Sequence, residues 1–223
     1  GKSVFRAALV EYNGEKSDLT TEGECLNIIS KLHGQEFRVS EVKETQKTLR
    51  PRPPYTTSKL QQEAANRFGF TSRKTMRIAQ ALYEGIDIGS GRVGLITYMR
   101  TDSTRISPVA LAEVREYLAK NYPEELPEKP NVYASGARAQ DAHEAIRPTY
   151  VANTPADIKS SLSAEQFKLY SLIWERFVSS QMKPGRSSTI TVDIRAGEAM
   201  FRASSTSIVQ RGYQKVLRVL APK

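Results

Sequence analysis

One cysteine, two histidines and one tryptophan occur among the 223 residues, with no apolar run of membrane-spanning length. The lone Cys25 excludes an intrachain disulfide, and with only His33 and His143 beside it a structural zinc site lacks ligands. No stretch approaches the roughly 18 consecutive apolar residues of a membrane helix. The opening GKSVFRAALVEY carries too few apolar residues for a signal peptide, so the expected location is the cytoplasm. There is no internal repeat, no low-complexity segment beyond Gly89-Ser90-Gly91, and no block of consecutive basic residues that would mark one patch.

What is present is a soluble, globular composition with 33 Lys and Arg against 24 Asp and Glu, a net charge of +9. An excess of that size favours a polyanionic partner, because Lys and Arg gain affinity by releasing counterions from phosphates. Ribosomal, membrane-surface and heparin-binding proteins share this property, so charge alone names no partner.

The hydropathy period changes twice along the chain. Residues 4–12 alternate in a strand-like way; Thr21 and Glu24 form a capping-box pattern ahead of Cys25, Ile28, Ile29 and Leu32; and Phe37 and Val39 open a second strand. Pro51, Pro53 and Pro54 make a stiff connector and a domain boundary. Beyond it the period is helical. Leu60, Ala64 and Phe68 stripe one helix ending near Gly69, and Met76, Ile78, Ala79, Leu82 and Tyr83 stripe another ending near Gly85, a helix-turn-helix arrangement. Ser107-Pro108 starts a helix carrying Leu111, Val114 and Leu118, residues 121–136 read as a loop, and Ser163 and Gln166 cap the clearest helix of all. At Pro184-Gly185 the period returns to two: Ile190, Val192 and Ile194 alternate with polar residues, and Ala196-Gly197-Glu198 is a turn from which Met200 to Val209 returns antiparallel. The expected fold class is α+β and multi-domain, with a helical domain (51–183) inserted into a β-rich one (1–50 and 184–223).

Two stretches carry chemistry. In GLITYMRTDSTRIS, residues 94–107, Leu95 and Ile96 begin as a buried strand and a dense polar run follows. Residues two apart in an extended segment share a face, which puts Tyr98 and Arg100 side by side about 6.6 Å apart at Cα. Ionising a tyrosine at pH 7 costs about 4 kcal/mol, and a neighbouring cation lowers that cost. The guanidinium also binds a phosphate at two points and stabilises charge developing on it. The hydroxyls of Thr97, Thr101, Ser103 and Thr104 suit either phosphate oxygens or the local backbone. Spacing by itself is met equally by a tyrosine packed on the Arg100 stem over a hydroxyl-capped turn. In AQDAHEAIRP, residues 139–148, a helix would line Ala139, Ala142 and Ile146 on one side and Gln140, His143 and Arg147 on another. That polar face fits phosphate binding or proton transfer by His143, and also a solvated surface tempered by Asp141 and Glu144.

Taken together, GLITYMRTDSTRIS and AQDAHEAIRP resemble the active-site tyrosine motif and the downstream histidine motif of bacterial type IA DNA topoisomerases. PPYTTSKLQQEAANRFGF, residues 53–70, resembles the segment that opens their tyrosine-bearing domain. The resemblance implies that Tyr98 attacks a single-stranded DNA phosphate and is joined to the 5′ side of the break, that Arg100 contacts that phosphate, and that Thr97 and His143 lie at the DNA. Asp102, Ser103 and Arg147 fall inside the motifs, as DNA contacts or supports. It implies a helical tyrosine domain inserted into a β-rich arch, and a monomeric, ATP-independent parent enzyme of the cytoplasm and nucleoid that acts on single-stranded or negatively supercoiled DNA. The magnesium of such enzymes is held by acidic residues of a Toprim domain, and no Asp-x-Asp pattern for it occurs here. The expectation is therefore a fragment that binds DNA without cutting it. A non-catalytic helix-turn-helix DNA-binding module is the rival from another class, and a tyrosine recombinase, with its different order of Arg and His residues, the rival among enzymes.

Overall fold

The computed structural model describes residues 4–89, 91–133 and 143–220. In chain order the elements are β1 (Ala8–Tyr12), β2 (Glu15–Lys16), α1 (Glu22–Leu32), β3 (Arg38–Leu49), α2 (Thr57–Phe68) and α3 (Ser72–Glu84). They continue with β4 (Ile86–Asp87), β5 (Arg92–Val93), α4 (Pro108–Asn121), α5 (Ala164–Ser180), β6 (Gly185–Ala196) and β7 (Ala199–Gln210). Contacts divide the chain into two compact units, one of residues 1–49 and 186–210, the other of residues 50–185 and 211–223.

The first unit is a five-stranded sheet in the order β2-β1-β7-β6-β3. β6 and β7 form a long hairpin in register from Arg186↔Gln210 to Ala196↔Ala199, closed at the turn expected after Ala196. Ser40 Oγ donates to the Asp193 carbonyl and Ser188 Oγ to the Glu44 carboxylate, so β3 runs antiparallel to β6. The apolar alternation of β6 is buried only at its far end, where Ile194 pairs with Phe201 and Ala196 with Ala199, while Ile190 is exposed. Cross-strand polar pairs carry the rest of the hairpin: Thr189 with Thr206 at 2.8 Å, and Asp193 with Arg202 at 2.6 and 2.7 Å in a two-point ion pair. At the N-terminal end only Ala8–Tyr12 of the alternating run forms a strand.

The second unit is built around α5, whose residues 169–180 are all buried. Its Ser163/Gln166 capping box is present, as is the Thr21/Glu24 box of α1. Thr56, Thr71 and Ser107 cap α2, α3 and α4, each accepting a backbone N–H two or three residues into the helix, where no intrahelical partner exists. The α2–α3 pair, joined through residues 69–71, lays Leu60, Ala64, Ile78, Ala79 and Leu82 against Leu169, Leu172, Ile173 and Phe177. Trp174 joins this core and donates its indole N–H to the Val151 carbonyl at 2.9 Å.

Two expectations are corrected. Residues 211–223 group with the helical unit and not with the strands before them. Gly212, at φ +52°, passes so close to Pro184 that a Cβ would lie 2.3 Å from its carbonyl oxygen, and Tyr213 N–H donates to the Lys183 carbonyl at 2.9 Å. Val216 and Leu220 then enter the helical core. The buried Glu175 carboxylate accepts the N–H groups of Arg218, Val219 and Leu220 at 2.9–3.0 Å, while Arg67 donates to the carbonyls of Val219 and Leu220. The helix expected over 139–148 is also replaced, in its described part, by extended chain: Ile146 bridges Tyr55 and Pro148 bridges Ile96. Pro148 disfavours helical geometry at Arg147 before it, and the backbone bonds that a helix would satisfy internally go to neighbouring segments. Ala139, Gln140, Asp141 and Ala142 lie outside the described residues.

Candidate active site

Leu95 and Ile96 are buried as expected, but the segment carrying them is irregular, with a single bridge at Ile96 in place of a strand. It is held from three sides. Leu95 N–H donates to the Leu82 carbonyl at the end of α3 at 2.8 Å. Gly94 allows that approach, since a Cβ there would sit 2.8 Å from the Tyr83 carbonyl oxygen. On a second side Thr149 binds Gly94 and Leu95, and Thr97 N–H donates to the Arg147 carbonyl at 3.0 Å. On the third, Thr57 at the start of α2 donates its hydroxyl to the Met99 carbonyl at 2.7 Å, accepts Thr101 N–H at 2.9 Å, and donates its own N–H to the Thr101 carbonyl at 2.9 Å.

Because Met99 is buried between them, Tyr98 and Arg100 both face outward; Tyr98 is 43% exposed. The Tyr98 ring stands 5.5 Å from that of Tyr83, edge to face at 66°, and 6.2 Å from the imidazole of His143. Tyr83, Thr97, Tyr98, Thr101, His143 and Glu144 line an open cleft of about 260 Å³. The geometry thus brings Tyr98 and His143, from distant parts of the sequence, to one surface.

Other candidates are engaged within the chain. Thr97 Oγ1 donates to the Ala145 carbonyl at 2.7 Å and accepts Arg147 N–H at 3.0 Å, which uses its one proton. The Arg147 guanidinium binds the Glu144 carboxylate at 2.7–2.8 Å and the Pro148 carbonyl at 2.9 Å. Thr101 and Ser103 each accept the backbone N–H two residues on, at 3.0 and 3.1 Å, so the polar run is a pair of hydroxyl-capped turns. Asp102 is exposed beside them.

Three other tyrosines of the unit, Tyr55, Tyr133 and Tyr170, are less accessible than Tyr98. Burial pushes the phenols of Tyr55 and Tyr170 far above the usual tyrosine range, and Tyr133 up to about 12, so they stay neutral. Among the described residues no group of three or more His, Cys, Asp or Glu side chains is placed to hold a metal ion. No helix there is long and apolar enough to cross a membrane. Sequence reasoning missed Thr57, Gly94 and the cleft position of Tyr83. The repeated Thr after Pro53-Pro54-Tyr55 hinted at the first, but nothing local signals a contact across the fold.

Across residues 2–223 the sequence matches a family model described as DNA topoisomerase. It is 50% identical over 222 residues to DNA topoisomerase 1 of Treponema pallidum (strain Nichols), covering 100% of this chain and 30% of that protein. Among solved structures, full-length topoisomerase I from Thermotoga maritima in a monoclinic crystal form matches with a TM-score of 0.75 and 38% identity, over 94% of this chain and 34% of that one. The chain therefore spans about a third of the length of these relatives. An exposed tyrosine on a clamped backbone and a family match along nearly the whole sequence lead to one conclusion: the chain belongs to the DNA topoisomerase family.

Proposed function

We propose that this chain is the tyrosine-bearing and arch portion of a type IA topoisomerase, which cuts and rejoins single-stranded DNA through Tyr98 and so relaxes negative supercoils without ATP. In the forward step Tyr98 Oη bonds to the scissile phosphorus, the bond to the 3′ oxygen breaks, the phenol loses its proton and the departing 3′ hydroxyl gains one. Rejoining is the reverse. The phosphotyrosine ester retains the free energy of the broken bond, which removes the need for a nucleotide. Arg100, exposed two residues beyond Tyr98, would bind the phosphate oxygens and offset charge developing on them. His143, which lines the same cleft, would contact the phosphate or transfer a proton. Thr97 and Arg147 act by holding the backbone beneath Tyr98.

The carrying observation is the Tyr98 side chain exposed in a cleft while its backbone is anchored on both sides, since positioning a nucleophile is what covalent catalysis requires of a scaffold. The described residues do not fit a magnesium site, which needs several oxygen ligands. The ion is assigned to acidic residues of a Toprim domain outside this chain. The parent is proposed to work as a monomer in the cytoplasm, and the isolated chain to bind DNA weakly without cutting it.

In the full-length parent, Tyr98→Phe is expected to abolish relaxation and the covalent adduct while leaving DNA binding nearly intact, and Arg100→Lys to slow cleavage at least about tenfold, because an ammonium cannot make a planar two-point contact. Relaxation that survives Tyr98→Phe, or an adduct mapped to another tyrosine, would remove Tyr98 as the nucleophile, and a parent that binds DNA without forming any adduct would favour the reading as a DNA-binding module.

A further inference from the structure

Tyr83 is the penultimate residue of α3 and 41% exposed, whereas Tyr55, Phe70, Tyr170, Trp174 and Phe177 of the same unit are at most 6% exposed. Filling the core does not account for its ring. Its position is nonetheless tightly defined, because the Leu82 carbonyl accepts Leu95 N–H and the Tyr83 carbonyl packs on Gly94 where no side chain intervenes. The end of α3 is thereby set against the segment that carries Tyr98. The only ring contacts of Tyr98 among the described residues are the edge-to-face one with Tyr83 and the tilted one with His143. An exposed tyrosine is otherwise free to turn about its side-chain torsions, and an edge-to-face neighbour favours one ring orientation.

We propose that Tyr83 is a positioning residue for the transesterification, its ring holding the Tyr98 ring in the orientation from which Oη meets the phosphorus. This rests on the reading of Tyr98 as the nucleophile. The ring is the operative part: the Tyr83 hydroxyl takes no role, and a phenylalanine substitutes for it. An orientation lost at this contact lowers the rate of bond formation, since only near-attack conformers react, and leaves noncovalent DNA affinity where it was.

The test compares Tyr83→Phe, Tyr83→Leu and Gly94→Ala in the full-length parent. Adduct formation on end-labelled single-stranded DNA with magnesium is measured in a single turnover, and affinity is measured in a Tyr98→Phe background, where capture is impossible. The expected result is cleavage by Tyr83→Phe within about threefold of the parent and by Tyr83→Leu slower by about tenfold or more, with affinities matching within about twofold. Gly94→Ala, whose new methyl must push the Tyr83 carbonyl away, should slow cleavage in the same sense. Thermal melting followed by Trp174 emission should place Tyr83→Leu with the parent, since the side chain it replaces is half exposed. Equal cleavage by Tyr83→Leu and the parent overturns the proposal while Tyr98 remains the nucleophile. So does a loss of affinity as large as the loss of rate, which would make Tyr83 a DNA contact. Absence of any Tyr98 adduct from the unsubstituted parent overturns both readings together.

Discussion

The helical unit and the sheet unit solve the problem of holding a chain in place differently. In the helical unit an apolar cluster extends from Tyr55 to Leu220, with Leu60, Leu82, Leu95, Leu118, Leu169 and Leu172 fully enclosed. The sheet unit buries Ile28, Ile194, Ala196 and Ala199 among its described apolar residues, leaves Leu26, Ile29, Val39, Val42 and Val209 exposed, and relies on a long hairpin ladder with polar cross-strand pairs. The candidate nucleophile sits on the first kind of scaffold. Close packing admits few backbone alternatives, which suits a group that must meet a phosphorus atom within a fraction of an ångström. A ladder with little core opens locally at lower cost, which suits a segment proposed to serve as an arch during strand passage.

Four measurements test this contrast. The largest effect is expected from Leu172→Ala, which leaves a cavity in the helical core and should lower stability by about 2–5 kcal/mol, read by denaturant titration of Trp174 fluorescence. Ile190→Ala, at a side chain 47% exposed in β6, should change far-UV circular dichroism melting much less. Equal losses would show that the two units do not differ in core dependence. Next is Thr57→Val, which deprives the Met99 carbonyl and Thr101 N–H of their shared partner and should cost about 1–3 kcal/mol. In the full-length parent it should also slow cleavage, and an unaltered rate would mean that Tyr98 does not depend on this anchor.

The third measurement uses pH. Burial raises the Glu175 carboxyl above its ordinary 4.5, outweighing the opposing hydrogen bonds from Val219, Leu220 and Arg218. The folded state therefore binds that proton more tightly than the unfolded one, and the contribution of Glu175 is complete below about 4.5 and is lost as pH rises through the raised value. Asp193 behaves oppositely. The side-chain bond from Arg202 holds it below 3.8, so its contribution is present above that value and lost as pH falls through the lowered one. Glu63 also titrates in the helical unit; burial would raise it, but Arg67, Arg176 and Arg52 hold it low. The informative quantity is therefore the stability difference between each variant and the parent chain across pH. Glu175→Gln should remove the loss on the alkaline side and Asp193→Asn the loss on the acid side, and differences with the same sign would refute the contrast. The smallest effect is expected from Thr189→Ala, which breaks the exposed pair with Thr206 and should cost about 0.2–1 kcal/mol in sheet melting.

How much of this was legible in the sequence depended on whether the signal was local. The capping boxes at Thr21/Glu24 and Ser163/Gln166, the stripes of α2 and α3 and the turn after Ala196 lie where the residues place them, because caps and turns satisfy backbone groups within a few positions. The exposure of Tyr98 and of Arg100 on either side of buried Met99 follows from the same kind of local alternation. Residues 143–148 were misread as helical because helix spacing was present while the partners of their backbone, Tyr55, Thr97 and Arg105, lie 40 to 91 positions earlier. Residues 211–220 were misassigned because their anchor is a buried carboxylate on α5, which no local pattern announces.

The alternation of helical and extended segments, the side-chain chemistry available at Tyr98, Arg100 and His143, and the net positive charge follow from the order of residues alone. Propensity, capping and hydropathy period are properties of neighbouring residues, so they survive without a fold. Folding, in contrast, spends Thr97 and Arg147 on backbone and on Glu144, sets Thr57 to pin the segment beyond Tyr98, and brings Tyr83 to the Tyr98 ring. Each of these outcomes is a competition for one hydrogen-bonding or packing partner among groups far apart in the chain, and such a competition is settled only when folding brings all the competitors together.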